Sequence, residues 1–315
     1  MTGKTVSIFG GAHIDRRARI AGETVPGASN PGSWFEEAGG GGFNAARNLA
    51  RLGSVVRMIS PRGGDAAGEM VAQAALHAGV VDCPFVFLDR KTPSYTAILE
   101  NDGNLVIALA DMDLYRMFSP RRLQQRAMRD HISMSDLIVT DANLSAETLA
   151  GLIERAGAER KPVAAIAISP AKVVRLSGSL SGIRFLFMNE AEARALAGRD
   201  VADPAEWPAV LGATGLSGGV VTRGGKPAIA FEGSQAVCVS PPSLDTLGDV
   251  TGAGDALAAG FLSAFLAGEA LEMCLRSGIA ASVVTVRSPL AVSEKMSAET
   301  LAEAIALVPP AEILS

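Results

Sequence analysis

The sequence predicts an α/β protein with a mainly parallel central sheet, helices on both faces and a small β appendage. Three observations predict it. From about residue 137 onward, strand-length apolar runs alternate with helix-length segments, the order that builds a parallel sheet. Aromatic residues make up only 5% of the chain while glycine accounts for 34 of 315 residues, a composition suited to close helix-on-sheet packing. Asn101-Asp102-Gly103-Asn104 sits between two β-rich runs, a hairpin signal lying outside that alternation.

The elements follow in order. Val6-Ser7-Ile8-Phe9 reads as a buried first strand, stopped by Gly10-Gly11. Residues 16–37 are rich in Gly, Pro, Ser and Asn, lack a helical period, and read as loop or short exposed strands. Glycines 39–42 feed a helix in which Ala45, Ala46, Leu49 and Leu52 recur at helical spacing, with Gly53 as its stop. Residues 55–59 read as a strand, 65–78 as a helix ending at Gly79, and 95–99 and 105–109 as the hairpin strands. The regular part then gives strands at 137–139, 163–168, 185–188 and 219–222, with helices at 145–157 and 190–197. No repeat or linker divides the chain, so residues 1–315 read as one domain with a β appendage.

Composition excludes several classes. A formal charge of −5 with scattered Lys and Arg argues against a nucleic-acid or anionic-membrane partner, which would want a basic patch. The apolar stretch Ala256–Leu266 is shorter than the roughly 20 residues that span a bilayer, and reads as a buried helix. The first residues lack the apolar core of a signal peptide. Cys83, Cys238 and Cys274 lie far apart with no CxxC pair, which fits small buried residues in a reducing compartment. A cytoplasmic protein is the expectation. His77 and His131 read as surface residues, and no histidine has partners suggesting a metal site.

The most informative stretch is Asp249-Val250-Thr251-Gly252-Ala253-Gly254-Asp255, leading into an apolar helix. Gly252 and Gly254 allow a tight turn, and the first amides of the helix have no intrahelical partner. Such amides make a cradle for phosphate, assisted by the helix dipole. In a phosphotransferase, the amides at 252–254 would stabilise a phosphoryl group in transit and Asp255 would take the proton of the attacking hydroxyl. The chain has no GxxxxGK[ST] P-loop, and no GxGxxG opens its first helix.

DVTGAGD at 249–255 resembles a signature of the PfkB, or ribokinase-like, family of carbohydrate and nucleoside kinases. Gly39-Gly40 with Asn44, closed by Arg51-Leu52-Gly53, resembles its other signature; Asn189 with Glu192 resembles its NxxE motif, and Thr222-Arg223-Gly224-Gly225 its TxG loop. The four occur in the family's order, over residues 5 to 290. The resemblance implies a ribokinase-like fold whose β lid comes from segments near 16–36 and 92–112. It also implies ATP-dependent phosphorylation of a small-molecule hydroxyl with Mg²⁺. Asp15 would grip sugar hydroxyls beside Gly40, Gly41 and Asn44. Asn189 and Glu192 would act on Mg²⁺ and phosphates through water. Thr222, Gly224 and Gly225 would line the nucleotide site with Gly252 and Gly254. Asp249 and Thr251 match positions near a monovalent-cation (K⁺) site that some members have. In relatives the lid often pairs two subunits, so a homodimer through the lid is implied.

Thr92–Leu99, Asp102–Val106, Ala110–Asp113, Asn143-Leu144-Ser145 and Ser169-Pro170-Ala171-Lys172 are similar to the pseudouridine-kinase subgroup. That similarity implies phosphorylation of a nucleoside 5′-hydroxyl, with Thr96 and Asn143 added to the substrate site. The chain departs from the family pattern at Val250, where threonine is usual, and at His13, where asparagine is common. Phe43 stands at a position often polar or basic in relatives, which implies a different base pocket. Ile166-Ala167 replace an acidic residue and proline near the metal-phosphate site.

Overall fold

The structure is a computed structural model and describes residues 3–244 and 250–314. Its large sheet takes β1 (Thr5–Phe9), β4 (Val55–Ile59), β6 (Val81–Asp82), β10 (Leu137–Asp141), β11 (Val163–Ile166), β12 (Phe185–Asn189), β13 (Gly218–Arg223), β14 (Lys226–Glu232), β15 (Gln235–Val239) and β16 (Glu312–Ile313). Their spatial order is β16-β15-β14-β13-β12-β11-β10-β1-β4-β6. Every pairing from β6 to β13 is parallel, and β13 to β16 finish the sheet antiparallel. A second sheet, β3-β2-β8-β9, is built from β2 (His13–Ile20), β3 (Gly32–Gly39), β8 (Ser94–Leu99) and β9 (Leu105–Asp111). β5 (Pro61–Gly63) pairs with β7 (Phe85–Phe87) in a small third sheet. The polar stretch after His13, ambiguous between loop and strand, therefore forms two eight-residue strands paired along their full length.

The central strands are covered on both faces, and their residues alternate between two cores. Val6, Ile8, Leu137, Val139, Phe185 and Phe187 enter one; Phe9, Ile138, Leu186 and Met188 enter the other. This alternation follows from the two-residue period of a strand. The first core is closed by α1 (Gly41–Arg51), α2 (Ala66–His77), α8 (Ala253–Ala267), α9 (Leu271–Val286) and α10 (Ala298–Leu307). The second is closed by α3 (Arg126–Ser133), α4 (Ala146–Ala158), α5 (Pro170–Val173), α6 (Glu190–Ala197) and α7 (Trp207–Gly212). Among the described residues no helix is long and apolar enough to cross a membrane.

Two features of this frame position the site. β1 pairs with β4 on one side and β10 on the other, so the strand order reverses there. The loops after β1 and β10 splay apart at such a point and leave a crevice. Helix α8 is anchored over β12 by Phe261, whose ring meets Phe185 at 5.0 Å and Phe187 at 5.3 Å between centroids, both edge-on. Such aromatic pairs contribute about 0.5–1.5 kcal/mol each beyond burial alone.

Candidate active site

The crevice holds a cavity of about 540 Å³. Its walls include His13, Asp15, Gly40, Gly41, Asn44 and Asn143, then Asn189, Glu192, Thr222, Thr251, Gly254 and Asp255. A second cavity of about 470 Å³ adjoins it, lined by Gly224, Gly225, Val250, Ala253, Ile279, Val283 and Val286. The two share Thr222, Gly254 and Leu257. Asp255 thus stands in the first cavity beside the doorway to the second.

The doorway is made by the turn into α8. Gly252 caps the helix at φ 77°, and a Cβ there would lie 2.1 Å from the Ala291 carbonyl oxygen. The position therefore excludes any side chain on conformational and steric grounds. Ala256 N donates to Gly252 O at 2.9 Å, and Ala253 N donates to Val250 O at 3.2 Å. The Ala253 amide is thus engaged within the turn, a correction to counting it among the open donors. Gly254 and Asp255 supply the first-turn amides that have no acceptor within the helix.

Asp255 Oδ2 accepts from Asn44 Nδ2 at 2.8 Å, and a Cβ on Gly41 would lie 3.1 Å from Asp255 Oδ1. Asp255 is reached from the cavity yet lies deep in the fold. Burial pushes its carboxyl up to about 7, opposed by the Asn44 hydrogen bond and reinforced by Asp141, Asp15 and Glu192. A carboxyl poised near neutrality is suited to general-base work.

Around it the pocket is braced by further groups, of which the sequence reading did not single out Asp141 and Tyr115. Asp141, wholly buried at the end of β10, accepts from the amides of Gly11 (2.8 Å), Gly42 (2.9 Å) and Asn143 (2.9 Å). One carboxylate therefore ties together the loop after β1, the start of α1 and its own loop. A charged residue ending an otherwise apolar strand was the available signal. His13 links Asp15 to Tyr115: its Nε2 lies 3.3 Å from Asp15 Oδ1 and its Nδ1 2.8 Å from the Tyr115 hydroxyl. With a carboxylate beside Nε2, the tautomer that carries its proton there would accept the phenolic proton at Nδ1.

On the opposite wall Lys172 Nζ donates to Asn143 Oδ1 at 2.7 Å. Burial lowers the Lys172 pKa, opposed by the charge of Asp141. Asn143 Nδ2 is buried without a protein partner. Beside Lys172, Ile168 sits at φ 70° with Ser169 N donating to Ala167 O at 2.9 Å, a conformation a β-branched residue rarely adopts. The run expected as strand through residue 168 accordingly ends at Ile166.

Asn189 and Glu192 form a reciprocal cap on α6: Glu192 N donates to Asn189 Oδ1 at 2.9 Å and Asn189 N to Glu192 Oε2 at 2.7 Å. Both also line the cavity, and burial raises the Glu192 carboxyl.

Three further expectations need correction and one falls elsewhere. Thr96 does not line the cavity; its neighbour Tyr95 does. In register, Asp15, Tyr95 and Ala110 share the inner face of the small sheet, while Arg16, Thr96 and Leu109 share the outer one. Phe43 is fully buried in the core under α1 and so does not shape the pocket. His131 is half-buried, not a surface residue, and its pKa is lowered by that burial and by Arg57. Asp249 lies outside the described residues.

The fold carries two adjoining cavities, the second with an apolar wall, and a carboxylate at their junction, an arrangement that fits a small-molecule kinase. The chain belongs to the pfkB family of carbohydrate kinases, whose model matches residues 4–297. It is 31% identical to pseudouridine kinase of Escherichia coli, over 98% of both chains. Among solved structures it resembles a carbohydrate kinase from Agrobacterium tumefaciens at 58% identity and a TM-score of 0.90, covering 99% of this chain and 100% of that one. It shares its fold with Arabidopsis thaliana ribokinase in complex with ribose and ATP, at 20% identity and a TM-score of 0.84, over 96% and 99% of the chains. The ribokinase-like fold, with the smaller sheet beside the large one, is therefore as the sequence implied.

Proposed function

We propose that this kinase transfers the γ-phosphoryl group of ATP to the 5′-hydroxyl of a nucleoside, and that the nucleoside is pseudouridine. One observation carries the reading: Asp255 stands at the junction of two adjoining cavities, beside helix amides without intrahelical acceptors. Asp15, oriented by His13, accepts from the sugar hydroxyls. Asp255 takes the proton from the attacking hydroxyl, and the amides of Gly254 and Asp255 hold the phosphoryl group in flight. The apolar walls at Ile279, Val283 and Val286 fit an adenine ring, and Gly224-Gly225 leave room beside it. Mg²⁺, carried on the phosphates and reached through water by Asn189 and Glu192, would supply charge neutralisation between the phosphoryl groups.

The base assignment rests on two supports. One is the similarity to the bacterial pseudouridine kinase over nearly the whole chain. The other is the cavity wall where Lys172 Nζ, held by Asn143 Oδ1, offers donors, which suit a carbonyl oxygen of a uracil ring. A panel of pseudouridine, uridine, adenosine, ribose and fructose, each scored by ADP release, tests it. Pseudouridine is expected to give the highest kcat/KM; a wide margin in favour of ribose or adenosine rejects the base assignment.

A further inference from the structure

Asn44 bonds Asp255 through Nδ2, and its other amide atom is also engaged. Arg47, one turn along α1, uses a single nitrogen, Nη2, to donate to Asn44 Oδ1 at 2.7 Å and to Ala38 O at 2.7 Å. Ala38 lies at the end of β3, where the small sheet runs into the glycines before α1. The guanidinium lies over the Phe43 ring at 4.8 Å, and its Nε is buried without a partner.

We propose that Arg47 is a positioning residue: it locks the Asn44 carboxamide with Nδ2 toward Asp255 and ties that lock to the root of the lid strand. The argument is one of donors and acceptors. A guanidinium has no acceptor, so the amide atom facing it must be Oδ1, and Nδ2 must then face the carboxylate. Without Arg47 the terminal torsion of asparagine has two broad wells, and in the flipped one Oδ1 would oppose Asp255 and favour its protonated form. Packing alone does not require an arginine here. An unbranched apolar side chain on Phe43 would avoid the desolvation of a buried charge and be neutral or better for stability.

The charges around the pair are mixed. Arg47 faces Glu37 on β3, Asp15 on β2, Arg51 on its own helix and Asp255 on α8. Asp255 faces Asp141, Asp15 and Glu192, all of which favour its neutral form. The Asn44 hydrogen bond is thus the contact that favours the ionised Asp255 against three carboxylates, and Arg47 acts on Asp255 by orienting that bond.

This inference rests on Asp255 being the base, and the experiment separates the two. The Asp255 carboxyl is titrated by ¹³C NMR in wild type, Arg47→Met, Arg47→Lys and Asn44→Ala, alongside kcat and KM against pH for the best substrate of the panel. Arg47→Met is expected to move the Asp255 midpoint up by about one unit, lowering kcat about fivefold near pH 7 with recovery at higher pH. KM and thermal stability should change little. Arg47→Lys, which keeps the charge and one donor, should fall between, and serves as the comparison if Arg47→Met folds poorly. A midpoint and pH profile unchanged in Arg47→Met overturns the role of Arg47. Full turnover by Asp255→Asn would instead reject the base, leaving the titration shift to report on Arg47 alone.

Discussion

Asn44 Nδ2 donates to Asp255 Oδ2 across 2.8 Å, although 211 positions separate the two in the chain. The bond joins the first turns of α1 and α8, each entered through glycine. It places a hydrogen-bond donor against a carboxyl that burial pushes up to about 7, which suits the base role we propose for Asp255 near neutral pH.

Asp255→Asn should therefore abolish turnover while ATP binding survives. The kcat/KM of the wild type should rise with pH through about 7 and level off above it, because the ionised form is the base. The stability effect has the opposite sign. Between the unfolded value of 3.8 and the folded value of about 7 the native state binds the extra proton, so Asp255 costs stability increasingly as pH rises through that window. Asp255→Asn should then raise Tm at pH 8 relative to wild type by a larger margin than at pH 4, measured by calorimetry at both values.

Tyr115→Phe removes the hydroxyl that fixes the His13 ring and leaves the buried His13 Nδ1 without that partner. Unsatisfied buried groups cost about 1–3 kcal/mol, so Tm should fall. Asp15 would lose its orientation, so KM for the sugar substrate should rise several-fold with kcat nearly unchanged. An unchanged KM would show that His13 holds Asp15 without help.

The outer face of the small sheet aligns Ile107, Ile98, Ala18 and Trp34 across its four strands. Ile107 is 61% exposed and Trp34 59%. An exposed apolar stripe of this kind is suited to an interaction site, and we propose a second copy presenting the same stripe as its occupant. Ile107→Asp should then convert a dimer to a monomer in light scattering. A wild-type monomer at micromolar concentration removes the inference.

Much of the site was legible in local sequence because glycine and helix-start residues carry their own physics. Gly252 sits at positive φ where the turn requires it, and the NxxE motif at Asn189 and Glu192 falls at a helix start, where the two also form a reciprocal cap. The strand-helix alternation likewise predicted the parallel sheet. Thr96 was misplaced because strand register, which sets the face a side chain occupies, depends on pairing partners far away in the chain.

By itself, the sequence determined the fold class, the family and the glycine turn that opens α8. These are properties of short windows: periodicity, turn chemistry and unpaired amides at a helix start. Only the tertiary structure decided which groups meet there, since Asp141 gathers three loops, Lys172 reaches Asn143 and Arg47 bridges Ala38 and Asn44. Electrostatics and hydrogen bonding act over a few ångströms of space, and the chain brings those atoms together only when the whole sheet has formed.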